Sequence, residues 1–365
     1  MQVIMSGGGT GGHIYPALAI AEQLKLQRPD TQITFVGTRE GLENSILKNY
    51  DYNLLYIDVS GFKRSLSSET FTSAKKAFRG LLQSREIIKK IKPSVVIGTG
   101  GYVCGPVVTA AFLSGIKTCI QEQNAVPGVT NRMLGKLANR IFLGSEAAAK
   151  YFSFKNKVFV EGNPIRSDIM KATREQAQRE LGLDPKKTTV LVSGGSRGAM
   201  SINNAMLYVD EKLADSSDVQ IIHITGTTGY QSVIDELPES VKEAKNLKIV
   251  SYMKDMPLAM AATDFAVFRA GALGLAELAA RGVPSILVPY PYATANHQEH
   301  NARYFEKQNA AIVVRDKELT GECLYGLINI LLNDKERLAI MSEAAKSIGR
   351  PDAAEKIAEN ILSMF

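Results

Sequence analysis

A short apolar run followed at once by a glycine-rich segment occurs four times, and this pattern constrains the fold of the chain most. The first glycine segment, residues 6–13, follows the apolar residues 2–5 and precedes a helix-length stretch. An apolar run of this length is typical of a buried strand. Strands separated by helix-length segments predict parallel β-α-β units. The other glycine segments are at residues 98–102, 194–198 and 269–277.

The apolar runs form two series of similar architecture, which predicts an α/β chain with two Rossmann-like doubly wound domains. We expect a first domain at residues 1–163 and a second at 164–345. Packing against the first domain is one option for the helical segment 346–365. Two such domains facing each other would place a ligand cleft between the carboxyl ends of both sheets. The predicted strands are residues 2–5, 31–36, 94–97, 117–121, 140–143, 158–160, 188–192, 221–225, 247–251, 265–268, 285–288 and 311–314.

Cysteine usage and hydropathy indicate where in the cell the protein is expected. The three cysteines, Cys104, Cys119 and Cys323, have no Cys-x-x-Cys spacing, which favours reduced thiols over a disulfide framework. No apolar run approaches the ~20 residues that a membrane-spanning helix needs, and the N-terminus lacks the features of a signal peptide. We expect a protein that is dissolved inside the cell or lies on a membrane surface. The net charge of +6 suits nucleic acid, anionic lipid and phosphorylated substrates alike.

Glycine loops offer backbone N–H groups to a ligand. Glycine permits positive φ and close approach, and the N–H groups at a helix start favour anionic or polar oxygen atoms. The first loop is not a Walker A loop, and no acidic residue follows residues 31–36 as in a dinucleotide fingerprint. A tight turn without a ligand is the alternative for any single loop. Four such loops favour a diphosphate site.

Two side chains beside these loops are candidates for direct roles. His13 stands at the tip of the first loop, where a neutral imidazole can take a proton from a sugar hydroxyl. A histidine that caps or packs is the alternative. Glu277, six residues after Gly271, can accept both hydroxyls of a ribose, and a surface glutamate is the alternative. His223 lies in an apolar run and is interpreted as structural.

No metal or cofactor is expected. The chain contains no Asp-x-Asp sequence and no cluster of histidine, cysteine and acidic residues at metal-ligand spacing. A leaving diphosphate would then be stabilised by helix N-termini and hydrogen-bond donors instead of a protein-bound magnesium ion.

Together, the short motifs resemble those of the MurG family, the peptidoglycan N-acetylglucosaminyltransferases that convert lipid I to lipid II. The resemblance runs over essentially the whole chain. It implies the glycosyltransferase B fold, with UDP-N-acetylglucosamine held by the second domain and the lipid-linked acceptor by the first. The motifs are Gly8-Gly9-Thr10-Gly11-Gly12-His13 with Pro16, Gly100-Gly101-Tyr102-Val103-Cys104-Gly105-Pro106, Glu122-Gln123-Asn124, Gly162-Asn163-Pro164-Ile165-Arg166, Gly194-Gly195-Ser196-Arg197-Gly198-Ala199, and Gly271-Ala272 through Glu277.

The resemblance also implies roles for single residues. His13 would be the base that acts on the acceptor 4-hydroxyl, and Glu277 would bind the ribose. Gln298 and Asn124 would face the donor sugar, and Tyr102 belongs to the substrate-binding set. Thr10, Gly11 and Gly12 would border the diphosphate and the sugar. The residues implied to contact the nucleotide and diphosphate are Arg166, Ser196, Met253, Ala272, Leu273, Gly274, Leu275, Ala276 and Glu277.

The segment before Glu277 departs from the family pattern. Family members often carry serine before Gly-Ala and serine or threonine shortly after it, where this chain has Ala270 and Leu273-Gly274. Hydroxyl donors to the diphosphate are therefore missing, and we expect backbone N–H groups to serve in their place.

Residues 62–92 combine apolar side chains with nine basic and two acidic ones, an excess of seven positive charges. An apolar stripe flanked by lysines suits an anionic membrane surface, and a helix with a solvated basic face is the alternative. A lipid-linked acceptor favours the membrane, with Leu82 and Ile88 packed inward and Phe71 or Phe78 exposed. We expect a peripheral protein on the cytoplasmic face of the plasma membrane that binds no nucleic acid.

The expected reaction is an inverting transfer, in which the acceptor 4-hydroxyl displaces UDP and forms a β-1,4 bond. Three other functions are alternatives. A UDP-sugar epimerase would use the same nucleotide site without an acceptor site, which the basic stretch and the Gly101-Tyr102 loop disfavour. A nicotinamide-dependent oxidoreductase is disfavoured because the acidic residue after the second strand is missing. A module that only binds phosphate or membranes leaves the four loops unexplained.

Overall fold

The described residues form two compact units. The computed structural model describes the backbone of residues 1–60 and 68–365 and the side chains of residues 1–60 and 76–365. The first unit comprises Met1–Arg166 together with Arg350–Phe365, and the second comprises Ser167–Gly349. We call them the first and the second domain. Because the last residues belong to the first domain, the second domain is an insertion into it.

In the described part of the first domain, strands form one parallel sheet in the order β3-β2-β1-β4-β5-β6-β7. The strand order reverses between β1 and β4, and the first two glycine loops follow these two strands. The strands are β1 (Gln2–Gly7), β2 (Gln32–Gly37), β3 (Asn53–Tyr56), β4 (Val95–Gly100), β5 (Lys117–Glu122), β6 (Arg140–Leu143) and β7 (Val158–Phe159). The helices are α1 (Gly11–Gln27), α2 (Glu43–Leu47), α3 (Ser68–Ile91), α4 (Cys104–Leu113), α5 (Val129–Leu134) and α16 (Ala353–Leu362).

The second domain is described throughout and has a parallel sheet in the order β10-β9-β8-β11-β12-β13. Its strand order reverses between β8 and β11, which again precede glycine-rich loops. The strands are β8 (Thr188–Ser193), β9 (Val219–Ile224), β10 (Leu247–Val250), β11 (Phe265–Phe268), β12 (Ser285–Leu287) and β13 (Ala311–Val313). The helices are α6 (Asp168–Lys171), α7 (Arg174–Leu181), α8 (Met200–Leu213), α9 (Tyr230–Glu236), α10 (Glu239–Lys242), α11 (Met256–Ala262), α12 (Ala272–Arg281), α13 (His297–Lys307), α14 (Gly321–Asn333) and α15 (Lys335–Ile348).

Helices cover both faces of the first sheet, which explains why its central strands are apolar on both sides. Along β1, Val3 and Met5 belong to a cluster with α1 and α16, whereas Ile4 belongs to a cluster with α3 and α4. Helix α16 contributes Ile357 and Ile361 to the first of these clusters. The final segment of the chain therefore packs back on the first domain.

The predicted α/β class with two parallel sheets is confirmed, with two local differences. The edge strand β3 was missed: it is only four residues long, and all four are half-buried or exposed. Helix α1 begins at Gly11, five residues before the predicted start at Pro16. The carbonyl that a residue 16 N–H would normally bond belongs to Gly12, which is exposed to water, so the proline is tolerated.

Helix α3 shows which part of residues 62–92 points inward. Ile88 is buried as expected and Phe78 is 64% exposed, but Leu82, expected to pack inward, is 48% exposed. Leu82 follows Phe78 by four residues and lies on the same face, whereas Ser84 and Ile88 share the buried face. Phe71 lies outside the described side chains. Within the described residues, no helix is long and apolar enough to cross a membrane.

Candidate active site

The first glycine loop joins β1 to α1 and places His13 in the first turn of that helix. Gly9 has a φ of 86°, in the left-handed region that favours glycine. Thr10 is the N-cap residue in an extended conformation. Thr10 and Gly12 are exposed, while Gly11 and His13 are half-buried. The loop therefore presents a helix N-terminus with an imidazole next to it.

The second glycine loop, at the end of β4, lies directly against the first. Gly100 and Gly101 have φ values of 112° and 84°. A Cβ on Gly101 would lie 2.4 Å from the carbonyl oxygen of Gly8, and one on Gly100 would lie 3.0 Å from the His13 ring. The Thr99 hydroxyl donates a hydrogen bond of 2.7 Å to the carbonyl of His13. Both glycines are thus required for the two loops to pack together.

Burial favours the neutral form of His13. It lowers the pKa of the imidazole to about 4, and the negative charge of Glu43 acts in the opposite direction. The Nδ1 atom is buried and has no hydrogen-bond partner among the described residues. Near neutral pH the ring is therefore unprotonated, as a general base requires.

A buried carboxylate beneath the first loop was missed in the sequence. Glu43, on the short helix α2, is 1% exposed, and one of its oxygens accepts a hydrogen bond of 3.3 Å from the backbone N–H of Gly9. Nothing in a single glutamate after a turn distinguishes it from a surface residue. The only sequence signal is the pair Gly37 and Gly41 that precedes it.

Asn124 is held at the carboxyl end of β5 by the buried carboxylate of Glu122. One oxygen of Glu122 accepts from the backbone N–H of Asn124 (3.0 Å) and from its side-chain amide (3.2 Å). The other oxygen accepts from the Gly128 N–H (3.1 Å) and from the Asn131 side chain (2.9 Å). Glu122 therefore shapes the loop that carries Asn124.

Tyr102 and Arg166 lie beside the first loop. The Tyr102 ring packs over Gly9, and its hydroxyl is 3.5 Å from the Thr38 hydroxyl. The Arg166 guanidinium stacks 4.9 Å from the ring centre of Tyr15, two residues after His13. The predicted site residues that the first domain brings to this loop are Thr10, Gly11, Gly12, His13, Tyr102 and Arg166.

The third glycine loop joins β8 to α8 in the second domain. Gly195 and Gly198 have φ values of 90° and 80°. A Cβ on Gly198 would lie 2.0 Å from the carbonyl oxygen of Thr225, at the end of β9. One side of the loop is therefore packed against the neighbouring strand end. Ser196, on the loop, is exposed.

Helix α12 begins at the carboxyl end of β11, with Gly271 as its N-cap residue and no acidic residue in its first turn. Such a helix start favours an anion. Glu277 is 7% exposed, which argues against the alternative of a surface glutamate. Leu275 is buried in the domain, so only its backbone can meet a ligand. The half-buried residues of this segment are Ala272, Leu273, Gly274 and Ala276.

Gln298 and Met253 lie on the segments that follow β12 and β10. Gln298 is in the first turn of α13, and its side-chain oxygen accepts a hydrogen bond of 3.0 Å from the Tyr290 N–H. Met253 is half-buried, three residues after β10. Because all strands of this sheet are parallel, Gln298, Met253, Ser196 and the start of α12 share its carboxyl edge.

Arg269 is a second functional candidate that the sequence analysis did not single out. Its guanidinium forms an ion pair with Asp316 and donates to the Val288 carbonyl (3.0 Å) and the Ser201 hydroxyl (2.9 Å). It thereby ties the ends of β11 and β12 to α8. In the sequence, only the small residues that follow it mark this segment.

His223 belongs to a buried polar cluster in the second domain. His223 is buried, with Nδ1 3.0 Å from the Asp210 carboxylate and Nε2 3.4 Å from the Asn203 side-chain oxygen, in agreement with its structural interpretation. No group of three or more histidine, cysteine or acidic side chains among these residues is arranged to hold a metal ion.

Two domain families match the two parts of this architecture. The glycosyltransferase family 28 N-terminal domain matches residues 3–143, and the glycosyltransferase family 28 C-terminal domain matches residues 189–357. The chain belongs to glycosyltransferase family 28. The glycine loops of both sheets thus lie within segments that are characteristic of this family.

Family 28 relatives match over the full length of the chain. A UDP-N-acetylglucosamine--N-acetylmuramyl-(pentapeptide) pyrophosphoryl-undecaprenol N-acetylglucosamine transferase from Acetivibrio thermocellus is 46% identical over 361 residues, covering 99% of this chain and 97% of the relative. A transferase of the same name from Desulfitobacterium hafniense is 45% identical and covers 98% and 97%. The resemblance to the MurG family is confirmed.

Solved structures share the fold of this chain. The crystal structure of Acinetobacter baumannii MurG has a TM-score of 0.76 and 29% identity, and the match covers 100% of this chain and 99% of that one. A UDP-N-acetylglucosamine 2-epimerase from Neisseria meningitidis has a TM-score of 0.70 over all of both chains, but only 14% identity. The glycosyltransferase B fold is confirmed, and the epimerase shares the fold alone.

Proposed function

We propose that this family 28 chain transfers N-acetylglucosamine from UDP-N-acetylglucosamine to lipid I. The acceptor atom is the 4-hydroxyl of N-acetylmuramoyl-(pentapeptide)-pyrophosphoryl-undecaprenol, and the product is lipid II with a β-1,4 bond. The observation that carries the proposal is the 46% identity over 361 residues with a transferase named for this donor and acceptor. The reaction is a step of peptidoglycan synthesis and so serves cell-wall biogenesis, cell shape and cell division.

His13 is the general base of the transfer. The proton of the acceptor 4-hydroxyl passes to the imidazole while the hydroxyl oxygen forms a bond to the anomeric carbon. The bond from that carbon to the diphosphate breaks, and UDP leaves with the electron pair. Support comes from the unprotonated state of His13 and from its place in the first turn of α1. General-base catalysis of this kind contributes roughly 10²–10⁴ in rate.

The second domain holds the donor. The start of α12 and the N–H groups of the loop at residues 194–198 stabilise the charge that develops on the leaving diphosphate. Glu277 accepts hydrogen bonds from the ribose hydroxyls. Because hydroxyls are missing at Ala270 and Leu273-Gly274, backbone N–H groups stabilise the diphosphate; in the loop at residues 194–198 the backbone is fixed by the packing of Gly198 against Thr225.

The first domain binds the lipid-linked acceptor and lies peripherally on the cytoplasmic face of the plasma membrane. Exposed apolar residues on α3 and α5 support this proposal. These helices flank the start of α4, since Gly80 lies against Pro106 and Gly105 against Thr130. The exposed apolar residues are Phe78, Leu82, Val129 and Met133, and the exposed basic residues near them in sequence are Lys76, Arg79, Arg85, Lys89, Lys90, Arg132 and Lys136.

The transfer assay uses radiolabelled UDP-N-acetylglucosamine and a short-chain lipid I analogue. We expect label to appear in the lipid only when protein and acceptor are both present. Without acceptor, the donor should stay unchanged. Conversion of the donor sugar to its 2-epimer without acceptor would contradict the proposal and favour an epimerase.

Vesicle binding tests the membrane surface. Replacing Phe78 and Leu82 by serine should weaken binding to phosphatidylglycerol vesicles by roughly 10-fold or more, since two exposed apolar side chains are lost. Added salt should weaken the binding further. Leu26→Ser is the matched control, because Leu26 is equally exposed but lies on α1, which packs on the other face of the sheet. Equal binding by both variants would reject this surface.

A further inference from the structure

The carboxylate of Glu43 is enclosed by the backbone of the first glycine loop and of the turn after β2. One oxygen accepts hydrogen bonds from the backbone N–H (2.7 Å) and the hydroxyl (3.1 Å) of Thr38. The other oxygen accepts from the N–H of Gly9 (3.3 Å). Three donors thus converge on the two oxygens and hold the side chain in place.

Three glycines make room for this carboxylate. A Cβ on Gly41 would lie 2.1 Å from each oxygen of Glu43, one on Gly37 would lie 2.5 Å from its Cγ, and one on Gly8 would lie 3.0 Å from Oε1. None of the three has a positive φ, so the backbone conformation does not require glycine there. The space that the Glu43 side chain occupies does require it.

The same carboxylate is connected to two predicted site residues. The Thr38 hydroxyl that donates to Glu43 is 3.5 Å from the Tyr102 hydroxyl. The charge of Glu43 raises the pKa of His13 and so opposes the effect of burial. Glu43 therefore acts on the loop through its hydrogen bonds and on the imidazole through its charge.

The other titratable groups that face the first loop come from two sides. On the β4 side are Tyr102 and Cys104, and burial raises the pKa of the Cys104 thiol to about 11. On the α1 side are Tyr15 and the guanidinium of Arg166. Glu43 is the group among these whose negative charge acts on His13.

We propose that Glu43 is a positioning residue of the transfer: it fixes the first glycine loop and stabilises the imidazolium that His13 becomes. When the acceptor proton passes to the imidazole, a positive charge appears near the carboxylate, which itself neither gives nor takes a proton. Glu43 acts through His13 and Gly9 and does not touch the substrate. The inference rests on the proposed role of His13 as the base.

The first test is Glu43→Gln, which keeps the size of the side chain but removes its charge. We expect kcat to fall roughly 10²-fold, the scale of losing one preorganised electrostatic contact, with the KM for UDP-N-acetylglucosamine changed less than about twofold. The acidic limb of the kcat–pH profile should move to lower pH, because the charge that favours protonation of His13 is gone. Glu43→Asp keeps the charge and should restore part of kcat.

Asp264→Asn is the matched control. The Asp264 carboxylate accepts from the Thr189 N–H (2.7 Å) and pairs with Arg174 (2.8 Å), at the amino end of β11 and away from the glycine loops. It should lower the melting temperature without changing kcat or the pH profile. If Glu43→Gln behaves in the same way, Glu43 is only structural and the inference is wrong.

Two further variants complete the test. Should Glu43→Gln not fold, Thr38→Val removes one donor to the carboxylate: a kcat several-fold lower supports the inference, and an unchanged kcat overturns it. His13→Ala separates this inference from the function on which it rests. If His13→Ala keeps full turnover, the base assignment fails first; if it loses turnover while Glu43→Gln keeps both kcat and pH profile, only the role of Glu43 fails.

Discussion

The two domains share a parallel sheet whose strand order reverses beside a glycine loop, but they differ in what packs around that loop. In the first domain the loop rests on the buried carboxylate of Glu43 and carries the half-buried His13. In the second domain the loop is exposed at Ser196 and Arg197. The fold fixes where a ligand can bind, and the groups beneath the loop determine its chemistry.

Electrostatics sharpen the contrast. In the first domain, burial sets the protonation state of a histidine, so the loop is suited to take up a proton. In the second, the charged side chain nearest to the start of α12 in the chain, Arg269, is paired with Asp316. We therefore expect backbone dipoles, and not Arg269, to meet an anion at the start of this helix. Variants of His13 on the first loop should therefore alter turnover alone, whereas variants of the donor site in the second domain should alter donor affinity.

The largest effect is expected for His13→Ala. Turnover should fall roughly 10²- to 10⁴-fold because the proposed general base is lost. The Kd for UDP, measured by calorimetry, should change less than about twofold. His300→Ala, an exposed histidine on α13, serves as the control and should be neutral. A comparable loss of turnover and of UDP affinity in His13→Ala would argue against a specific base.

A smaller effect, on UDP affinity instead of turnover, is expected for Glu277→Gln. The Kd for UDP should rise roughly 10- to 100-fold, because glutamine keeps one acceptor oxygen and loses one hydrogen bond to a charged group, which contributes about 1.5–3 kcal/mol. At saturating donor, kcat should stay within a few-fold of the parent. Glu322→Gln, on the exposed side of α14, is the control. An unchanged Kd for UDP in Glu277→Gln would show that the ribose binds elsewhere.

The smallest effect concerns stability at mildly acidic pH. The pKa of His13 is about 4 in the folded domain, against an ordinary value of 6.5, so between these values the unfolded chain binds a proton that the folded chain does not. The free energy of unfolding therefore decreases as the pH falls from 6.5 to 4, by at most on the order of 3 kcal/mol for this group. Urea unfolding of His13→Gln should show a weaker pH dependence, and that of His300→Gln the parental one. Identical curves for His13→Gln and the parent would contradict the burial of the imidazole.

Much of the fold was predictable because short sequence patterns determine its strands and turns. Apolar runs such as residues 188–192 and 265–268 mark central strands, and glycines such as Gly100 and Gly198 mark turns at their ends. The order of the motifs also identified the family and placed His13 and Glu277 on glycine-loop segments. These features depend on neighbours in sequence.

What could not be predicted depends on contacts between distant residues. Glu43 is important because Gly8 and Gly9, more than thirty residues earlier, surround its carboxylate. Arg269 is tied to Asp316, and that pairing has no sequence signature. The prediction that Leu82 packs inward was wrong, because the sequence of an amphipathic helix shows which residues share a face but not which face is buried.

The return of α16 to the first domain affects the order in which the chain can fold during synthesis. Ile357, Ala358 and Ile361 complete the apolar cluster beneath α1. These residues are made after the whole second domain, which is continuous in sequence and can complete its own core beforehand. The domain that carries His13 is thus the last to close, and a ribosome that stalls before residue 353 leaves the apolar face of α1 uncovered, where chaperones and proteases recognise unfinished chains.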